Sequence, residues 1–104
     1  MKKIKIAVVS ALLLVVSANA TNYIVDQRKK TFIPHELELK VGDTITFKNS
    51  DPFAHNAYTD DEENEFDIGM QGTGEDVRVK IRHAGKFDVE CAIHPNMLLE
   101  VTVK

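Results

Sequence analysis

Apolar and polar residues alternate along most of this chain. Leu37-Glu38-Leu39-Lys40-Val41 switches character at every step, Gly42-Asp43 interrupts, and Thr44-Ile45-Thr46-Phe47-Lys48 resumes the alternation. Val77-Arg78-Val79-Lys80-Ile81-Arg82 is a third such run. Lys86-Phe87-Asp88-Val89-Glu90-Cys91 is a fourth, entered through Ala84-Gly85, and Leu99-Glu100-Val101-Thr102-Val103 is a fifth. Tyr23-Ile24-Val25 adds a further candidate strand. A period of two sends successive side chains to opposite faces, so each run has one face to bury and one to leave in water. Six or seven short strands with turns roughly every 8–12 residues predict an all-β sandwich or barrel of about 6–8 strands. No stretch has helical periodicity, and no repeat or low-complexity tract is present.

The widest interruption is residues 50–75, rich in Asp, Asn, Gly and Glu. It reads as loop, with one short strand around His55 to Tyr58 and a turn or short helix near Asp60 to Asn64. A loop of this length in a compact domain is a place to look for function.

The N-terminus sets the compartment. Lys2, Lys3 and Lys5 precede the apolar run Ile6–Val16, and Ala18-Asn19-Ala20 is a small-x-small cleavage signal. This is the layout of a secretory signal peptide, residues 1–20, cut after Ala20. The apolar run falls short of the ~20 residues of a spanning helix. The leader holds no cysteine for acylation, so a soluble periplasmic product is expected. The domain is then 21–104.

Removing the leader changes the charge. The full chain has 13 Lys+Arg against 16 Asp+Glu, a net −3. Three lysines leave with the leader, so ten cations face 16 anions, a net −6. An acidic domain is a poor nucleic-acid binder. It can instead dock on a basic protein, for which the segment Asp60-Asp61-Glu62-Glu63-Asn64-Glu65 is a candidate, although such a run also serves simply as a solvated loop. The run lacks the Gly-punctuated spacing of a calcium loop.

Cys91 is the only cysteine, which rules out an internal disulfide. An unpaired thiol in an oxidising compartment needs protection, and a metal–thiolate bond supplies it while stapling a small core. Cys91-Ala92-Ile93-His94-Pro95-Asn96-Met97 offers a thiolate, an imidazole and a thioether where one strand ends and the last has yet to begin. Ligands so close in sequence converge only through a turning loop, which Pro95 stiffens. His55, just beyond the strand ending at Asn49, is the best second imidazole; His35 and His83 read as solvated. Two imidazoles, a thiolate and a long axial thioether form the blue-copper ligand set. Structural zinc rarely takes methionine, and an iron–sulfur cluster needs more cysteines.

Cys-x-x-His-x-x-Met ahead of a terminal strand resembles the cupredoxin family, and the two-residue spacer between His94 and Met97 resembles that of amicyanin. The similarity extends over Phe32-Ile33-Pro34, the run from Leu39 to Asn49, His55-Asn56 and Gly85-Lys86-Phe87. Phe66-Asp67-Ile68-Gly69 is similar to bacterial plastocyanin-like proteins. The resemblance implies a plastocyanin-like Greek-key sandwich with one type 1 copper held by His55, Cys91 and His94 in the equatorial plane and Met97 axially. It implies that Asn56 ties the two ligand loops together. The family often has Ser or Thr after the cysteine; here it is Ala92, so the tie is expected to be weaker or to run through backbone. It also implies an apolar rim of Phe53, Pro95 and Met70 where electrons leave through the edge of His94, the alternative being that Phe53 and Met70 simply pack inside.

The expected function is one-electron transfer between redox protein partners by a monomeric copper carrier that docks transiently. No general base or substrate pocket is evident, so catalysis is not expected. Cys91 acting as a nucleophile with His94 as its base is the formal exception. Copper handling by a chaperone or buffer is the alternative, as is an interaction module with a vestigial site. The chain has only three methionines, one of them Met1, whereas copper-handling sites tend to be rich in methionine and histidine.

Overall fold

The structure is a computed structural model describing residues 19–104; residues 1–18, and with them nearly all of the expected leader, lie outside the described residues. Nine strands follow in order: β1 (Asn22–Arg28), β2 (Thr31–Ile33), β3 (Glu36–Leu39), β4 (Thr44–Asn49), β5 (Tyr58–Thr59), β6 (Phe66–Asp67), β7 (Asp76–Lys80), β8 (Gly85–Glu90) and β9 (Leu98–Val103). No helix occurs among the described residues, and none is long and apolar enough to cross a membrane.

The strands form two sheets, β2-β1-β4-β7 and β3-β9-β8-β5-β6. The all-β sandwich read from the alternation is therefore the fold. Its strand count is nine because β2, β5 and β6 have only two or three residues, too few to show a period. The expected strand near His55 begins later, at Tyr58, and His55 itself forms an isolated bridge with Gln71. Residues 62–64 make a turn and no helix.

Alternation builds the core as expected. Val25, Ile45 and Phe47 from the first sheet meet Leu39, Val89, Leu99 and Val101 from the second, and Phe47 packs between the rings of Phe32 and Phe66. In β1 and β4, which run parallel, the inward positions are Tyr23, Val25 and Gln27 beside Ile45, Phe47 and Asn49. Both strands thus change from apolar to amide side chains at the end where β4 releases the chain toward His55. Gln27, Asn49, Asn56 and Gln71 are all buried there. Buried amides have to be hydrogen-bonded, so this end of the sandwich is specified by polar geometry and not by shape alone.

Candidate metal centre

In β8, Phe87 and Val89 face inward, and Cys91 continues that register one step past the strand, leaving its thiol free and 2 % exposed. The chain then turns through Ala92–Asn96, with the N–H of Met97 donating to the carbonyl of His94 at 3.0 Å. His94 is half-buried, and Met97 is buried.

His55 arrives from the opposite sheet and is fully buried. Its backbone pairs with Gln71 in both directions, His55 N–H to Gln71 O at 3.0 Å and Gln71 N–H to His55 O at 2.8 Å. Its Nε2 lies 2.7 Å from Asp51 Oδ2. An ionised carboxylate can only accept, so Nε2 carries the proton and Nδ1 of the neutral ring keeps a free lone pair. That lone pair points at the other ligand loop, with His55 Nδ1 3.1 Å from His94 Nδ1 and His94 Nδ1 3.8 Å from Cys91 Sγ.

Asp51 fixes more than the imidazole. Oδ1 accepts the N–H of Lys29 at 2.7 Å and Oδ2 that of Lys30 at 3.0 Å. These two lysines form the turn between β1 and β2 with φ of 54° and 59°, a conformation L-residues seldom adopt without outside help. One carboxylate therefore holds both a strained turn and the ring of His55. Burial works to raise the pKa of Asp51, but the Lys30 N–H, His55 and the Lys29 N–H outweigh it and keep the carboxyl below its ordinary range. For His94, burial and then the neighbouring His55 and Lys30 hold the imidazolium pKa below its ordinary value, against an opposing pull from Asp51. The neutral ring that results is the form able to bind a metal.

The three donor atoms of His55, Cys91 and His94 lie within 4.8 Å of one another. Imidazole nitrogen binds a first-row ion at about 2.0–2.1 Å and thiolate at about 2.3 Å, so two ligands of one ion sit up to about 4.2 Å apart, or 4.4 Å for nitrogen and sulfur. The 3.1 and 3.8 Å separations already satisfy this. One small soft cation fits, and the donor set of imidazole and thiolate suits copper.

The tie between loops runs through backbone. Asn56 Oδ1 accepts the N–H of Ala92 at 3.0 Å, so no hydroxyl at position 92 is needed, while Asn56 Nδ2 donates to Asp67 Oδ1 and the Gly69 carbonyl. Phe53 packs against both histidine rings, at 5.3 Å from His55 and 5.5 Å from His94 between centroids, with Lys30 Nζ 5.6 Å above its outer face. Met70 is 73 % exposed and Pro95 is exposed, so neither packs inside. His35 is exposed, and His83 lies 3.5 Å from Glu63.

The acidic segment is elsewhere. Asn64 anchors it, donating to the carbonyl of His83 and accepting the N–H groups of Arg82 and His83. His83 precedes β8 and Cys91 follows it, so the Asn64 anchor sits roughly 20–26 Å from the thiolate at strand spacing, while the ends of the segment run back to β5 and β6, where Tyr58 pairs with Glu90 beside Cys91.

Residues 19–104 match the family described as copper binding proteins, plastocyanin/azurin family. The chain belongs to that family. It is similar to plastocyanin of Vicia faba, with 33 % identity over 86 residues, covering 69 % of this chain and 86 % of the relative. Among solved structures it is similar to a reduced amicyanin mutant, with a TM-score of 0.72, 29 % identity, and 86 % and 87 % of the two chains covered. It is also similar to part of the copper-containing nitrite reductase of Thermus scotoductus, with a TM-score of 0.74 and 27 % identity over 95 % of this chain and 25 % of that one. The family, the sandwich and the His55–Cys91–His94 cluster together make this a copper protein of the cupredoxin type.

Proposed function

We propose that the exported chain is an electron carrier, in which His55, Cys91, His94 and Met97 would hold one copper ion. The observation that carries this reading is the convergence of two imidazole nitrogens and a thiol from opposite sheets, with one imidazole buried and the other half-buried. Bound copper supplies a one-electron couple.

This chain's own residues supply the rest. Asp51 holds the His55 ring by its far nitrogen, and Gln71 holds its backbone, so the ligand has little freedom to reorganise. Cys91 is fixed by the inward register of β8, and Asn56 locks the following peptide. Met97 is buried at the close of the same loop, where its thioether would serve as the fourth donor. Rigid ligands favour electron transfer because little geometry has to change. Around the His94 edge, Phe53, Met70 and Pro95 form an apolar rim suited to brief, dry contact with a partner. The partners are redox proteins, a donor and an acceptor, met one at a time by a monomer in the periplasm after cleavage at Ala20. The chain performs no catalysis of its own.

The rival reading, transfer of copper itself, makes the opposite prediction about retention. Protein-film voltammetry of copper-loaded residues 21–104 in the presence of a Cu(I) chelator tests both. A reversible one-electron wave that persists through repeated cycles is the expected result. Loss of the wave as the chelator strips the reduced ion would support copper handling and contradict electron carriage.

A further inference from the structure

The expected cleavage junction and the edge of the fold meet at one nitrogen. Asn19 and Ala20 are exposed and outside any strand. Thr21 is the first residue to engage the fold: its N–H donates to Asp43 Oδ1 at 2.8 Å, its carbonyl accepts the N–H of Thr44 at 3.0 Å, and β1 starts at the next residue.

Asp43 is an unusual carboxylate for a surface turn. It is only 4 % exposed, its Oδ2 accepts the N–H of Lys40 at 2.8 Å, and its backbone bonds both Lys40 and Ile81. No side-chain cation is hydrogen-bonded to it among the described residues. A buried carboxylate held only by neutral N–H groups gains most from acquiring a cation at the same position. Hydrolysis after Ala20 creates one there. Water, used by the peptidase that removes the leader, adds across the Ala20–Thr21 bond. Ala20 leaves with the carboxylate, and Thr21 keeps an amine that is protonated at neutral pH.

We propose that removal of the leader turns the Thr21 nitrogen into an α-ammonium that pairs with Asp43, so that the processing cut itself completes an ion pair fastening β1 to the β3–β4 turn. The inference rests on the reading that the chain is exported and cut after Ala20. β1 stands to benefit, because it pairs with β4 from Asn22 and Thr44 onward and contributes the fully buried Val25 and Gln27.

The other groups around this corner leave Asp43 as the amine's partner. Lys40 lies on the same turn, Tyr23 on β1, Glu38 on β3 and Lys104 at the chain end, while Lys80 closes β7 opposite Thr44 and Arg82 lies just past it. Glu38 is already bonded to Lys104 at 2.9 Å. The N–H groups of Thr21 and then Lys40, outweighing burial, hold Asp43 below its ordinary pKa, so it is ionised at neutral pH, where the amine is also charged. An amine gaining a carboxylate titrates above its ordinary value of about 8. The stabilisation it brings is therefore full below pH ~8 and is lost as pH rises through the raised value. On the acid side the contribution of Asp43 is present above the ordinary carboxyl pKa of about 4 and is lost as pH falls below it.

The test compares the purified protein starting at Thr21 with two forms that lack an amine at that position, one Nα-acetylated and one retaining Ala20. At pH 7 the Thr21 form should unfold about 3 °C or more higher than both. The gap should close by pH 11 and should be absent in Asp43→Asn, whose side-chain oxygen still accepts a hydrogen bond. Equal midpoints for all three forms at pH 7, or a gap that survives Asp43→Asn, would overturn the ion pair. If Asp43→Asn does not fold, NMR titration of the Thr21 amine in the unaltered protein decides: a pKa above the ordinary value supports the pair, and an ordinary value overturns it. The mass of the exported product reads the processing step separately. A first residue other than Thr21 would overturn the assignment of the cut, whatever the midpoints show.

Discussion

The side chain of Gln27 donates to that of Gln71 at 2.6 Å, and both residues are completely buried beneath the metal ligand His55. The orientation of this pair is dictated by its surroundings. Gln71 Nε2 faces two carbonyls, those of Phe47 and Glu75, so its oxygen must be the acceptor. Gln27 Nε2 then serves Gln71 and the Lys48 carbonyl, and Gln27 Oε1 has no partner among the described residues. Turning the Gln27 amide over would set its oxygen against two other oxygens. The fold thus tolerates an unsatisfied buried acceptor to hold Gln71, whose backbone in turn holds His55.

Gln71→Leu should cost about 1–3 kcal/mol in chemical denaturation, because it strands the Gln27 amide and two carbonyls. A double-mutant cycle with Gln27→Leu should show coupling of about 0.5–3 kcal/mol between the two sites. Additive losses would mean that the amides act independently.

Asp51→Ala should leave the ring of His55 free to turn and lower copper affinity about 10–100-fold, read by competition with a chelator. It should also raise the exchange rate of the Lys29 and Lys30 amides, since both donate to the same carboxylate. Unchanged affinity would show that packing alone orients the ring.

On the outer face of the second sheet, the register sets Glu36 opposite Glu100 and Glu100 opposite Asp88, three exposed carboxylates in one row across β3, β9 and β8. Like charges directly opposite one another on a sheet repel. Glu100→Gln should therefore stabilise the protein by about 0.2–1 kcal/mol in low salt, with the gain shrinking as salt is added. A loss of stability would indicate that the row is compensated by neighbours such as Lys86.

Much of this was legible in the sequence because the informative residues follow simple periods. The inward register of β8 carries Cys91 to the core, and the Cys91–Met97 loop brings His94 back beside it. His55 was identifiable as the imidazole following β4, and Asn56 does tie the loops, through the backbone of Ala92. The short β2, β5 and β6 were not separable from loop, since two or three residues show no alternation. The supports of His55 were harder to see. Asp51 had one local clue, a carboxylate four residues before a histidine in the same loop. Gln71 and Gln27 had none, because their pairing spans 44 positions and an isolated glutamine in a polar loop ordinarily faces water. The acidic run was visible, but only the fold shows Asn64 tying its turn to Arg82 and His83, before β8.

The most direct test of the whole account is the visible absorption spectrum of copper-loaded residues 21–104, taken oxidised, after ascorbate and after reoxidation, beside Cys91→Ser. The account predicts an intense thiolate-to-copper band that bleaches on reduction, returns on reoxidation and is missing in the variant. Weak absorption in the unaltered protein, or full colour in Cys91→Ser, would contradict it.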